Sequence, residues 1–244
     1  MNIYYVTLYG GVFITNLFLT SISINRPVTG SYRVYTEQFL GKFTAYLLGW
    51  IIYISGILGT AAEAISAAVF SMNISWASPF INGIIIIATT SVMIGNYYSC
   101  DQMLVSLSEA KEAPSIFKIK TDNNFYLNAW ILTGITSLLV VMMSFLLSAK
   151  LFNYLISACS YFSFFTWVIN LIVYIIWLKK RSIEEKYTYP LIWGRKGAYG
   201  TIICILILFV TSLQVHEFRI GFYSAAIITI LIGMSYKLKT TISK

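Results

Sequence analysis

Residues 43–70, FTAYLLGWIIYISGILGTAAEAISAAVF, decide the fold, because this long apolar block contains a single charged side chain, Glu63. An α-helix needs about 20 predominantly apolar residues to cross the ~30 Å hydrocarbon core of a bilayer. A helix on the surface of a soluble domain would instead show a polar face at helical spacing. The block therefore predicts a helix that spans a membrane.

Composition extends this prediction to the rest of the chain. Of 244 residues, 58% are hydrophobic and 11% are charged, whereas an ordinary soluble domain carries about 25% charged residues. Charge at the bilayer centre is costly, so the charged segments mark where the chain leaves the membrane. We predict an all-α, polytopic transmembrane helix bundle in one domain, residues 1–244. Its seven expected spans are residues 4–24, 43–70, 80–100, 127–149, 151–178, 198–215 and 220–236.

Lysine and arginine are distributed unevenly between the two sides of this bundle. Threading the seven spans leaves only Lys150 and Arg219 on one side, and the other 15 of the 17 basic residues on the opposite side. The positive-inside rule assigns the basic side to the cytoplasm. We therefore expect a cell membrane protein, in a plasma or bacterial inner membrane, with its N-terminus outside and its C-terminus in the cytoplasm. The first block has no basic leader, so we expect a retained span.

The residue types required for catalysis or metal binding are sparse. His216 is the only histidine, and three cysteines at positions 100, 159 and 204 lie in or beside apolar blocks without metal-ligand spacing. A lone histidine cannot assemble a metal site or a catalytic triad without partners at suitable spacing. We predict no enzyme activity, no cofactor and no metal site. The net charge of +8 is explained by membrane orientation, so no nucleic-acid partner is expected.

A spaced set of residues begins after the first block. Its members are Pro27, Gly30, Ser31, Tyr35, Gly41, Gly49 and Trp50, with Glu63 further along. This set resembles the second-to-third span region of amino acid permeases of the amino acid, polyamine and organocation transporter superfamily. Residues 103–117 and 151–181 resemble that family's eighth and tenth spans.

The resemblance implies a partial permease-type fold and secondary amino acid transport coupled to protons or another cation. Family members usually have twelve spans, and this chain resembles spans two, three and eight to twelve. The first and sixth spans, whose broken helices hold the substrate, lack counterparts here apart from a faint likeness at Gly10 and Gly11. The alternative is a non-transporting protein that binds or regulates a partner permease, or a degenerate remnant. Expected partners are the lipid bilayer, an amino acid substrate if the chain is active, and a homo-oligomer or partner permease.

Four residues are candidates for a substrate or ion pathway: Glu63, Gly56, Gly59 and Asp101. Carboxylates inside membrane spans often face an aqueous path and couple protons or cations. Counted from Phe43 at about 1.5 Å per residue, however, Glu63 lies about 30 Å along its helix, near the outer boundary, where it could be solvated or paired locally. Asp101 follows the third span directly, so its alternative is an interfacial charge; the resembling family has serine there.

Overall fold

The computed structural model describes residues 18, 20, 22–23, 31–73, 79–122, 124–146, 149–180 and 194–242. Within these residues all regular structure is helical and no strand occurs. The α-helices are α1 (Ser31–Leu40), α2 (Lys42–Asn73), α3 (Pro79–Glu109), α4 (Leu127–Leu146), α5 (Ala149–Lys180), α6 (Gly194–Ser212) and α7 (His216–Ile242). A 3-10 turn, Ser115–Lys118, lies between α3 and α4.

Helices α2 to α7 occupy the positions of the last six predicted spans, whereas the first predicted span lies almost entirely outside the described residues. Four segments of the described residues are long and apolar enough to cross a bilayer: Lys42–Ala61, Ser157–Lys180, Gly194–Ser212 and Phe218–Leu238. A shorter apolar segment, Leu127–Met143, lies in α4. The predicted all-α, multi-span membrane fold is confirmed, while the complete seven-span threading stays a prediction.

Two features differ from the expected boundaries. Helix α1 lies in a segment expected to be a cytoplasmic loop, and Gly41, with φ +88°, separates it from α2. A positive φ of this size suits glycine because it has no Cβ atom. Helix α3 continues to Glu109, nine residues beyond the predicted end at residue 100. Polar residues thus extend this helix past its apolar block.

Helix α2 lies at the centre of the described bundle, where it contacts α1, α3, α4, α5 and α7. Its glycines allow α3 to approach closely. A Cβ atom at Gly56 would lie 2.1 Å from the Cys100 sulfur, and one at Gly49 would lie 2.6 Å from Leu107 Cδ2. Small residues at such contacts are typical of helix packing in membranes. Gly56 follows Gly49 in α2, whereas its neighbour Cys100 precedes Leu107 in α3, so the two helices are antiparallel.

The buried side chains form two groups that meet at α2. One group joins α2 to α1, α5, α6 and α7 through residues such as Leu48, Phe162 and Tyr174. The other joins α2 to α3 and α4 through residues such as Ile57 and Leu104. Because both groups include α2 side chains, this helix connects the two halves of the bundle.

Large apolar side chains also cover the outside of the bundle. Ile87 of α3, Leu138 of α4 and Ile227 of α7 are each more than half exposed. Exposed apolar patches on this scale are rare on monomeric soluble proteins. In a bilayer the same side chains contact lipid hydrocarbon, in agreement with the apolar spans.

Candidate functional site

Asp101 lies inside a helix instead of at its end. Helix α3 continues for eight residues beyond it, to Glu109. The side chain faces the interior of the bundle, and the residue is 4% exposed. Asp101 is therefore buried against other helices, and its location at the interface or within the hydrocarbon core stays a prediction.

Two buried hydroxyl groups lie in the part of the bundle that contains Asp101, and a third, that of Ser137, lies one helical turn beyond Thr133. Tyr53 comes from α2, and Thr133 and Ser137 come from α4, and none of these residues is more than 8% exposed. The Tyr53 hydroxyl lies near Thr136 and Thr133 of α4 and near Asp101 of α3. We call Tyr53, Asp101, Thr133 and Ser137 the Asp101 cluster. It brings together three helices.

The polar atoms of the Asp101 cluster are unsatisfied. Among the described residues, the Tyr53, Thr133 and Ser137 hydroxyls and one carboxylate oxygen of Asp101, Oδ1, have no hydrogen-bond partner. A buried polar group without a partner costs about 1–3 kcal/mol. Native proteins keep few such groups, and a group of them within one site indicates a place for water, a proton or a ligand.

The charge of Asp101 is also unbalanced. The ion pairs described in the structure join Arg33 to Glu37 and Glu112, and none of those observed involves Asp101. A buried carboxylate without a cationic partner is strongly disfavoured in its charged form. Binding a proton or a small cation would relieve this cost. The Asp101 cluster therefore offers the chemistry of a proton or cation site.

Neighbouring contacts hold the cluster in place. The Cys100 thiol donates a hydrogen bond to the Tyr53 carbonyl oxygen at 3.7 Å, which ties α3 to α2. The Tyr97 hydroxyl donates to the Trp130 carbonyl oxygen, which ties α3 to α4. The Tyr53 ring packs edge-on against Trp50 at a centroid distance of 5.9 Å. The three helices are thereby fixed relative to one another around the unsatisfied groups.

The cluster lies within the half of the bundle nearest the basic loops. Tyr53 is eleven residues beyond Lys42, the first residue of α2, a rise of about 16 Å. Thr133 is six residues beyond Leu127, the first residue of α4, a rise of about 9 Å. Measured from these helix starts, Thr133 lies between the basic loops and the centre of a ~30 Å hydrocarbon core, and Tyr53 lies close to that centre.

The two glycines predicted to line a pathway lie at the contact between α2 and α3. Gly56 is pressed against Cys100, and a Cβ atom at Gly59 would lie 3.7 Å from Asn96 Nδ2, so both glycines lie where α2 meets α3. Glu63 belongs to α2, but its side chain lies outside the described part of the structure. A pathway role for Glu63, Gly56 and Gly59 stays a prediction.

The motif residues have structural positions where the structure describes them. Tyr35 is fully buried in the core around α1, and Gly49 contacts Leu107 of α3. Gly41 supplies the turn between α1 and α2, and the Trp50 ring packs against Tyr53. Pro27, Gly30 and the side chain of Ser31 lie outside the described residues.

Sequence reasoning missed a buried ion pair next to this motif. Arg33 Nη2 lies 2.8 Å from Glu112 Oε2 and 3.0 Å from Glu37 Oε2, and the Arg33 side chain is 4% exposed. Arg33 Nε also donates to Glu112 Oε2 at 2.9 Å. The pair links α1 to the segment that follows α3. The i,i+4 spacing of Arg33 and Glu37 was the only sequence signal, and it does not point to Glu112.

Comparison with known proteins identifies the family. The model of the amino acid permease family matches residues 68–244. The chain belongs to the amino acid permease family. The matched region includes α3 to α7 and therefore Asp101, Thr133 and Ser137, whereas Tyr53 precedes it. No solved structure matches this chain.

Individual relatives agree with this assignment at low identity. The chain is 27% identical to the dicarboxylic amino acid permease of Saccharomyces cerevisiae, over 88% of its own length and 39% of the relative. It is 28% identical to cationic amino acid transporter 1 of Schizosaccharomyces pombe, over 75% of this chain and 35% of the relative. An uncharacterized amino acid permease of Bacillus subtilis, YvbW, is 25% identical over 80% of this chain and 44% of the relative.

The chain thus spans less than half the length of these relatives. By name these relatives are amino acid permeases or transporters, and the expected lack of enzyme activity stays a prediction. Family membership and the apolar helices together identify a transporter-like, multi-pass membrane protein.

Proposed function

We propose that this permease takes part in secondary transport of amino acids across a cell membrane. The match of the family model over residues 68–244 carries this proposal. The relatives named above are a dicarboxylic amino acid permease and a cationic amino acid transporter, so their names agree on amino acids and differ in substrate charge. The proposed substrate class is therefore amino acids, without a preferred charge.

The Asp101 cluster is the proposed site of the coupling proton or cation. Transport against a gradient requires a group whose occupancy changes as the coupling ion binds and leaves. Asp101 supports this role because it is buried, has no ion-pair partner among the described residues and lies near the unsatisfied hydroxyl group of Tyr53. A carboxylate with hydroxyl oxygens can hold a proton or coordinate a small hard cation such as Na⁺.

An uptake assay with the purified permease in proteoliposomes tests both parts of the proposal. A pH gradient of one unit corresponds to about 1.4 kcal/mol, enough for about tenfold accumulation of a substrate moved with one proton. We expect gradient-driven accumulation of an amino acid by the unaltered chain. We expect Asp101→Asn to lose accumulation but to retain exchange between equal substrate concentrations, because the neutral amide cannot release a proton.

Asp122→Asn is the matched control, since Asp122 lies exposed between α3 and α4 and should behave like the unaltered chain. Replacing the pH gradient with a sodium gradient separates proton coupling from sodium coupling. Accumulation by Asp101→Asn equal to that of the control would refute the role of the cluster. Absence of amino acid flux by the unaltered chain above that of empty vesicles would refute transport by this chain alone.

A second candidate is a non-transporting role in which the chain binds a partner permease. The exposed apolar side chains of α3, including Ile87 at 69% and Ile94 at 61%, favour it, because another membrane helix could cover them. The same uptake assay distinguishes the two. No flux, together with specific copurification of a larger permease, would support the partner role.

The proposed location is a plasma or bacterial inner membrane, with the basic loops in the cytoplasm. The segment between α3 and α4 carries Lys111, Lys118 and Lys120, each of them exposed. The turn between α6 and α7 is followed by a single arginine, Arg219. The positive-inside rule supports this orientation.

A further inference from the structure

A groove of about 440 Å³ lies between α5, α6 and α7. Its volume falls within the range of about 300–1,000 Å³ that is typical of ligand pockets. Phe162 and Ile205 form part of its floor, and each is 1% exposed. Leu206 and Ile230 belong to its rim and are 51% and 61% exposed. The groove is therefore open to the outside of the bundle.

The groove has no free polar group on the side chains that line it. The Tyr161 hydroxyl is hydrogen-bonded to the Ser212 hydroxyl at 3.0 Å. The Thr229 hydroxyl donates to the Ala225 carbonyl oxygen at 2.8 Å. The remaining lining side chains are aromatic or aliphatic. A polar ligand would lose its hydrogen bonds to water here without replacement, so the groove selects hydrocarbon.

Aromatic rings close one end of the groove. Tyr161, Phe209 and Phe222 form a triangle of edge-on contacts with centroid distances of 5.5, 5.5 and 5.6 Å. From Phe222 the groove follows α7 to Ile230, a rise of about 12 Å along the helix. This length is close to half of a ~30 Å hydrocarbon core, the depth of one leaflet.

We propose that the groove binds one acyl chain of a bilayer phospholipid. Its rim is continuous with the lipid-facing surface of α6 and α7, so lipid chains reach it without crossing a polar region. Arg219 lies three residues before Phe222 and seven before Ala226, on the same face of α7. Arg219 is exposed at the start of α7 and can contact the lipid phosphate. This proposal does not depend on transport activity.

Native mass spectrometry of the detergent-purified chain measures the retained phospholipid. Ala226→Phe places a ring in the groove at a half-buried position, and Ala88→Phe places the same ring at an exposed position of α3 outside it. The new ring takes the place of part of the acyl chain, so the packing contacts that hold that part of the chain in the groove are lost. We expect Ala226→Phe to retain at least about tenfold less lipid than the unaltered chain, and Ala88→Phe to retain as much.

Photo-crosslinking of the unaltered chain gives an independent measurement that does not require a variant to fold. Vesicles contain phosphatidylcholine with a diazirine on one acyl chain, and peptide mapping locates the adducts. Adducts concentrated on groove residues such as Phe165 and Ala226 would support the proposal. Adducts spread evenly over the exposed faces of α3, α4 and α7 would overturn it. So would a groove without adducts because a second protein chain covers it. Equal lipid retention by Ala226→Phe and Ala88→Phe, with both folded, would also overturn it.

Discussion

Replacing Gly56 with alanine tests the contact between α2 and α3 that holds the Asp101 cluster together. The new methyl group would lie 2.1 Å from the Cys100 sulfur, which is too close for two unbonded atoms. The sulfur can rotate away only by giving up its hydrogen bond to the Tyr53 carbonyl oxygen. Overfilling a packed interior costs about 1–3 kcal/mol. Gly56→Ala should therefore weaken the bundle.

Gly59→Ala provides the matched control on the same helix. Its new methyl group would meet Asn96 Nδ2 at 3.7 Å, an ordinary van der Waals distance. Both substitutions gain the same helix propensity, about 0.8–1 kcal/mol. The difference between their free energies of unfolding therefore reports the clash with Cys100 alone. We expect Gly56→Ala to be less stable than Gly59→Ala by about 1–3 kcal/mol.

A thermal unfolding assay in detergent measures this difference. For a chain of this size, 1 kcal/mol shifts the melting temperature by about 2–4 °C. Cys100→Ala supplies the second arm of a double-mutant cycle, because the Cys100 Cβ atom would lie 3.8 Å from the new methyl group, at ordinary contact. We expect Cys100→Ala to cost less in the Gly56→Ala background than alone. Equal melting temperatures for Gly56→Ala and Gly59→Ala, or additive effects in the cycle, would refute the described packing.

Two further predictions concern the basic side of the bundle. Glu112→Gln should destabilise the chain by about 1.5–3 kcal/mol, because it removes the more buried of the two carboxylates that pair with the Arg33 guanidinium and leaves only Glu37. Glu37→Gln should cost less in the same unfolding assay, since the Glu37 side chain is 33% exposed, and equal losses would contradict this ranking. If the basic loops are cytoplasmic, an impermeant maleimide should label Ser115→Cys only from the cytoplasmic side and Gln214→Cys only from the opposite side. Labelling of both cysteines from the same side would contradict the three membrane crossings expected between positions 115 and 214.

The position and type of most helices could be predicted from the sequence. Residues 43–70 lie within α2, and 151–178 lie within α5. Hydropathy succeeds here because each span must separately satisfy its backbone hydrogen bonds and match the lipid around it. Helix α1 was missed because residues 31–40 contain no apolar block, and this short helix is stabilised by packing of residues such as Tyr35 against the core.

The partners of the candidate site required the tertiary structure. Asp101 was identified as a candidate from its charge alone, but its burial and the roles of Tyr53, Thr133 and Ser137 were not. Arg33 and Glu112 are 79 residues apart, and no local pattern joins them. Gly56 could be recognised as a small residue in a span, whereas its contact with Cys100 depends on the rotation of two helices.

The sequence by itself determined that this chain is a helical membrane protein, where most of its spans lie, and which family it resembles. Only the tertiary structure decided which face of each helix is buried and which polar groups meet inside the bundle. The physical reason is that a helix in lipid is apolar on both its buried and its exposed faces. The amphipathic stripe that would reveal the inner face of a soluble helix is therefore absent, and packing alone selects the neighbours.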